Sequence, residues 1–562
     1  MVAISLLGLV VGLVSAFATI GFVELVRYLN EILYVSASSR SGLEQTQLWL
    51  ITIAVLTTGG LLVGPSMQFG VERGVQTGPA DTIYAVQLQE RLPPPRSGVV
   101  STVTAILSLG CGASVGQYGP LVYLGTLVGQ VTNRLPFGLR DVRSIAIACG
   151  VAASISTAFN APIAALIFTH EVILRHYSLR MFAAVTVASA CGYLVANVVF
   201  EHPPLFLIEF DGSFRGVEFF LFALEGIAGG ALAVLFMKML HLAEKLSRKI
   251  GTPAALRPMV AGFVMALVAL QVPEVLGAGQ AVFDQTIVGG VYTANALLLI
   301  LIAKLLVTVL CIGFGFSGGV IFPALLIGVL FGALFALLVP AQFLTDYSGL
   351  SVYAVCGMMA LMSPVIGAPM TALLLVFELT RSYEITIAAM VTIVFANLVA
   401  HQWYGRSLYD FQLGERGIDL SMGRERAYLT HHTVGQRVTD SLPVVKPGAS
   451  LFELRQRMAE NSTASAVIVD EDNKYLGLVL QSQLLGLDDS IRVGSVTIRP
   501  TVEFNETTSL WDAMETMRGY FGDAIPVIDS VSKRYLGAIP EAVIINAYLD
   551  AAQELRREEY EV

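Results

Sequence analysis

The chain has 562 residues, 55% hydrophobic and only 14% charged, with a net charge of −9. Soluble globular chains carry about 25% charged residues, so a wholly soluble enzyme and a disordered regulator are both disfavoured. With no basic run to neutralise phosphates, nucleic-acid binding is excluded as well. The charge is unevenly spread: residues 1–426 hold 22 basic and 23 acidic side chains, about 11%, whereas 427–562 hold 12 and 20, about 24%. The composition is that of a membrane body carrying an ordinary soluble tail.

Apolar runs occupy 2–29, 48–69, 98–130, 143–174, 180–200, 216–242, 257–272, 294–314, 317–340, 350–380 and 385–403. The first lacks a basic n-region and is too long for a signal peptide, so it reads as a membrane helix. Several runs are shorter than the roughly 20 residues that cross hydrocarbon, or are interrupted by Gly and Pro, which predicts broken, tilted or re-entrant helices. Such breaks are tolerated at membrane depth only where they line a cavity or are covered by protein. A transporter or channel follows. Cys111, Cys149, Cys191, Cys311 and Cys356 all lie in apolar segments and read as small buried hydrophobes.

Two patterns recur. Ser114, Gly116, Pro120, Gly125 and Gly129 are echoed 203 residues later by Ser317, Gly319, Pro323, Gly328 and Gly332. Ala161-Pro162, Ala165-Leu166 and Glu171 are echoed 207 residues later by Ala368-Pro369, Ala372-Leu373 and Glu378. Two unrelated patterns at nearly one separation predict homologous halves, about 1–210 and 211–404, with a substrate site between them. Gly125/Gly129 and Gly328/Gly332 are packing glycines of the small-xxx-small kind, which leaves the shared Ser-x-Gly-x-x-x-Pro to be explained.

The membrane domain ends near 404, a polar connector covers 405–430, and the tail occupies 431–562. Two modules, about 434–490 and 495–550, share a pattern: Ala466–Asp470 then Tyr475-Leu476-Gly477, and Ala524–Asp529 then Tyr535-Leu536-Gly537. Each reads as helix, strand, turn, strand, helix, a tandem α/β repeat.

Gly116-Gln117-Tyr118-Gly119-Pro120 and Gly319-Val320-Ile321-Phe322-Pro323 each set glycine ahead of a proline that opens an apolar helix. The free N–H groups of a first turn, with the positive end of the helix dipole, hold an anion without a charged side chain. Two such copies could strip water from a monovalent anion without trapping it.

These residues carry a resemblance. Gly116–Pro120 looks like the G-R/K-E-G-P motif of the CLC chloride channel and transporter family, and Gly319–Pro323 resembles its G-x-F-x-P motif. Phe159-Asn160-Ala161-Pro162 running into Glu171 is similar to its F-N-A-P-x-A segment, and Ser407-Leu408-Tyr409 resembles the ending that supplies a pore tyrosine. The two tail modules resemble paired CBS domains. The resemblance implies a mainly α-helical polytopic fold of inverted repeats with broken helices, plus an α/β CBS pair. It further implies a homodimer in the cell membrane with a cytoplasmic tail.

It also assigns residues. The anion would meet backbone N–H groups of Gly116, Gln117, Tyr118, Gly119, Ile321 and Phe322, the hydroxyl of Tyr409, and an inner loop near Gln76 or Thr77, whose register stays open. The departures carry the mechanism. The family's gating glutamate is here Tyr118, whose phenol titrates near pH 10 and cannot stand in for an anion. Its proton-relay glutamate falls on Val172. Passive transport of a small monovalent anion, chloride by default, is therefore expected, with Tyr118 as the gate. An exchanger of two anions or of anion and proton, and a transport-dead sensor, stand as alternatives. Glu171 is either a proton-handling group or a structural acid bonded to nearby backbone. His170-Glu171 lacks the second histidine, at 174, of a zinc motif, and no metal, cofactor or catalytic residue is expected. The tail lacks the Thr and Asp that nucleotide-binding CBS pairs place after Gly477 and Gly537, so it is expected to be structural or dimer-stabilising.

Overall fold

A computed structural model describes the chain except residues 1, 41–42, 72–76, 89–91, 133–141, 202–215, 289–290, 340–347, 422, 497–501, 519, 521–522 and 561–562. It divides into two units, Met1–Gln412 and Leu413–Glu561. The expected junction of the repeats near 210 lies outside the described residues.

The first half of the membrane unit comprises α1 (Val2–Ile32), α2 (Ala37–Arg40), α3 (Gln45–Gly70), α4 (Pro79–Gln87), α5 (Pro95–Gly110), α6 (Tyr118–Thr132), α7 (Arg143–Phe159), α8 (Pro162–Phe168) and α9 (Leu179–Leu194). A π-helical turn, Thr169–Leu174, extends α8, and another, Val195–Val199, extends α9. The second half comprises α10 (Gly216–Lys249), α11 (Arg257–Ala269), α12 (Gln280–Val288), α13 (Ala294–Gly313), α14 (Ile321–Leu338), α15 (Leu350–Ile366), α16 (Pro369–Thr380) and α17 (Tyr383–Trp403), followed by α18 (Leu408–Gly414). Among the described residues seven helices are long and apolar enough to cross a membrane. The apolar runs 98–130, 143–174 and 350–380 are each two helices joined at a break.

Helices α4 to α9 recur as α12 to α17, and the local signals recur with them. α7 ends at Asn160 (φ 57°) and α15 at Gly367 (φ 71°), both left-handed, and the next residue but one is the proline that starts α8 or α16. Ser178 and Ser382 cap α9 and α17 by accepting the N–H of Met181 and Ile385. A Cβ on Gly125 would run into the Gly150 carbonyl on α7, and one on Gly328 into the Gly357 carbonyl on α15. These glycines let α6 meet α7, and α14 meet α15, at backbone distance.

In the tail, α19 (Arg424–His431), β1 (Val444–Val445), α20 (Leu451–Glu460), β2 (Ser465–Val469) and β3 (Tyr475–Leu480) are followed by β4 (Phe504–Asn505), α21 (Leu510–Met517), β5 (Ala524–Ile528), β6 (Tyr535–Pro540) and α22 (Glu541–Tyr560). Each module is a three-stranded sheet whose short leading strand is parallel to the next, which pairs antiparallel with the third. Three expectations need correction. A leading strand was missed in each module because two residues give no periodicity. The first module closes with a single 3-10 turn, Gln481–Leu484, in place of a helix. The 405–430 connector is largely helical, and its Leu429, with Val434, is buried in the second module's core beside Phe504, Leu510 and Ile539.

Candidate functional site

The two repeated loops are bonded to each other. Gly116 N–H donates to the Gly319 carbonyl at 2.8 Å and Gly319 N–H donates to the Gly116 carbonyl at 2.6 Å, an antiparallel bridge between the halves. A Cβ on Gly116 would lie 2.8 Å from Pro323 Cδ, and one on Gly119 would lie 2.8 Å from Gly319 Cα. Glycine is required there because backbone meets backbone. The repeated serines now have a role: Ser114 Oγ is 2.8 Å from Thr308 Oγ1 on α13, and on α5 Ser317 Oγ donates to the Ser101 carbonyl at 3.4 Å and accepts from Thr104 Oγ1 at 3.3 Å, while its N–H donates to Ser108 Oγ at 3.0 Å. Each loop is thus pinned to the other half's helix.

Leu121 N–H donates to Gln117 O (3.1 Å) and Ala324 N–H to Val320 O (3.0 Å). The N–H groups of Tyr118, Gly119, Ile321 and Phe322 therefore precede the helical ladders of α6 and α14. A third helix start joins them, with Pro79 Cδ of α4 3.9 Å from the position of a Gly119 Cβ. There Thr77 is buried with its hydroxyl toward the Tyr123 phenol, while the Gly78 N–H is taken by Asp81 Oδ2 at 2.9 Å. Thr77 brings a hydroxyl to this helix start; Gln76 lies outside the described residues. Three converging helix starts make an electropositive site built from backbone.

The Tyr118 side chain projects from the first residue of α6. It is fully buried, stacked on Phe159 with centroids 3.7 Å apart and planes 14° apart, and 5.9 Å from Phe322. Its buried hydroxyl lies beside the Gln117 side chain. Phe159 also lines a small apolar cavity between the halves, with Ala164, Ile321, Met362 and Leu375.

This arrangement agrees with the sequence comparison, in which residues 59–401 match the family described as voltage gated chloride channel and residues 434–489 match the CBS domain. The chain belongs to the voltage gated chloride channel family. A ClcB-like chloride channel protein of Ralstonia nicotianae is 28% identical over 71% of this chain and 94% of that protein. The H(+)/Cl(-) exchange transporter ClcA of Vibrio cholerae is 30% identical over 54% of this chain and 66% of that one. A slow cyanobacterial Cl-/H+ antiporter shares the fold at TM-score 0.67 and 22% identity, covering 74% of this chain and 98% of that one. A eukaryotic CLC transporter does so at TM-score 0.64 and 17% identity, covering 96% and 97%. The chain is thus a CLC-family membrane protein of anion transport with a CBS-containing tail.

Within this CLC fold, Glu171 accepts the N–H groups of Met370 (3.0 Å) and Thr371 (2.8 Å) and the Thr371 hydroxyl (2.7 Å), all at the start of α16. Glu378 reciprocates, accepting the N–H groups of Ile163 (2.8 Å) and Ala164 (2.7 Å) at the start of α8. Each half's glutamate caps the other half's helix. The structural alternative for Glu171 is what the geometry displays, although its partners are nearly 200 residues away in sequence and not the nearby backbone expected. Val172 is buried in the π-helical turn and offers no proton-carrying group. Tyr409 is buried on α18, which Asp410 ties to Arg175 at 2.6 Å. No hydrogen bond joins the Tyr409 hydroxyl to the α6 or α14 loop among the described residues.

Three residues were given no site role in the sequence reading. Glu378 was visible as the copy of Glu171 and was not assigned a site. His170 is fully buried, its Nδ1 3.0 Å from the Leu166 carbonyl, its ring stacked on Tyr177 and its Nε2 without a partner. Lys304 is fully buried on α13, donating to the carbonyls of Val275 (3.0 Å) and Gly277 (2.7 Å). A lone basic residue in the 294–314 apolar run was the signal that would have found it.

Proposed function

We propose that this protein carries small monovalent anions, chloride first, passively through a pore whose central site lies at the Gly116–Gly319 bridge. One observation carries the reading: an aromatic lid, Tyr118 on Phe159, stands where a carboxylate would exchange protons, and Val172 stands where a second would relay them. A neutral phenol cannot compete with the anion as a charge and then leave on protonation. Backbone N–H groups of Tyr118, Gly119, Ile321 and Phe322, with the hydroxyls of Thr77 and Tyr409, are the proposed donors. The unit works as a homodimer with the tail in the cytoplasm. The tail acts as a structural element and binds no nucleotide.

Proton-coupled exchange is the second reading, supported by the exchange named for the Vibrio relative and by the buried, unpartnered His170 Nε2. The deciding measurement is chloride efflux from proteoliposomes of the full chain with internal pH followed throughout. Passive transport gives efflux at a rate independent of an imposed pH gradient. Sustained uphill proton movement driven by a chloride gradient establishes exchange instead, and its loss in His170→Gln would identify the route.

A further inference from the structure

Lys304 is the one lysine or arginine so completely buried among the described residues. Its two partners are carbonyls, and no carboxylate pairs with it among the described residues. A buried ammonium is otherwise paired, neutralised by an ion or discharged by loss of its proton, so a Lys304 that keeps its charge calls for a negative one. Contacts on either side of the ammonium lead to the same segment. Thr308, one turn farther along the same face of α13, holds the Ser114 hydroxyl at 2.8 Å. Gly277, whose carbonyl accepts from Lys304, donates its own N–H to the Gly112 carbonyl at 2.7 Å. Residues 112–116 lead directly into α6 and its open N–H groups. Pseudo-symmetry supplies an internal control: the position 203 residues earlier, on α5, is Ser101, also buried but uncharged. The same helix packing is therefore built without a cation, and the charge on α13 answers to something else.

We propose that Lys304 is the fixed counter-charge of the anion site, setting the affinity with which the bridged loops hold a monovalent anion. It acts through its field, behind the backbone donors, and does not ligate the ion. This rests on the anion-transport reading.

The full chain is purified as wild type and as Lys304→Gln, Lys304→Met and Lys304→Arg, and chloride binding is followed by calorimetry beside chloride-dependent flux. Gln is the informative variant because its amide still has two N–H groups for the Val275 and Gly277 carbonyls while the charge is gone. Gln and Met are expected to weaken chloride binding by about tenfold or more, and Arg to stay within about threefold of wild type. A Gln variant within about twofold of wild type overturns the proposal and leaves Lys304 a brace. Failure of Arg to restore what Gln loses overturns it as well. A wild type that binds no anion overturns the transport reading together with this one, so the two failures are told apart.

Discussion

As the proposed gate, Tyr118 would work differently from a carboxylate. A glutamate leaves a pore by protonation, whereas a phenol stacked on Phe159 at 3.7 Å can leave only by breaking an apolar contact. Such ring pairs are worth about 0.5–1.5 kcal/mol beyond the area they bury, small enough to open by thermal motion. If the lid is steric, its hydroxyl is dispensable. Tyr118→Phe should therefore keep chloride flux within about twofold in proteoliposomes, while Tyr118→Ala raises it several-fold. Equal flux in the Ala variant would remove Tyr118 from the path. Beside it, Gly119→Ala sets a methyl group against Gly319 Cα at 2.8 Å. The loops must separate, so most flux should disappear, with a stability loss of about 1–3 kcal/mol by thermal unfolding in detergent.

The exchanged caps join the repeated elements through charged groups. Hydrogen bonds to a charged group contribute about 1.5–3 kcal/mol each when buried. Met370 and Ile163 are about half exposed, so a total of about 1.5–3 kcal/mol per glutamate is the better figure. Glu171→Ala and Glu378→Ala should each lower thermal stability by that amount, with Glu171→Gln in between because its carbonyl still accepts. A proton relay at Glu171 would give the reverse pattern, stability kept and proton movement lost. Much of this was legible in sequence: the offsets of Ser, Gly, Pro and Glu predicted two halves and their breaks, since helix starts and stops are local. Which partner each residue meets was not. Ser114 finds Thr308, Ser317 finds Ser108, and Glu171 finds Thr371, all across about 200 residues of chain that spacing does not constrain. Lys304 was visible as a lone basic residue in an apolar run, but its partners are carbonyls, which have no sequence signature.

At the scale of the whole molecule the tail has its own stability and its own pH response. Composition marked its existence, but the core of its second module includes Leu429 from ahead of the first and Val434 from its start, a crossing that the module repeat conceals. In that module Asp529 accepts the Ser532 N–H at 2.6 Å, the Ser532 hydroxyl at 2.8 Å and the Val531 N–H at 3.1 Å. The Ser532 N–H foremost holds this carboxyl below its usual range. Glu506 accepts the hydroxyl and N–H of Ser530, at 2.7 and 2.8 Å, and the hydroxyl likewise holds it low. A carboxyl with a depressed folded-state pKa binds fewer protons folded than unfolded. Its contribution is complete above the unfolded value of about 4 and fades as pH falls through the folded one. Trp511 on α21 packs against this core, so in a Trp49→Phe/Trp403→Phe background its fluorescence reports the module alone, the chain having three tryptophans. Denaturant midpoints should fall between pH 5 and pH 3 in this background. They should fall less when Asp529→Asn and Glu506→Gln are added, the two curves converging once pH is below the depressed folded-state values because protonation has by then done what the substitutions do. Parallel curves would mean that these turn carboxylates do not set the acid limit of the tail, and that its loss of structure in acid begins elsewhere in the fold.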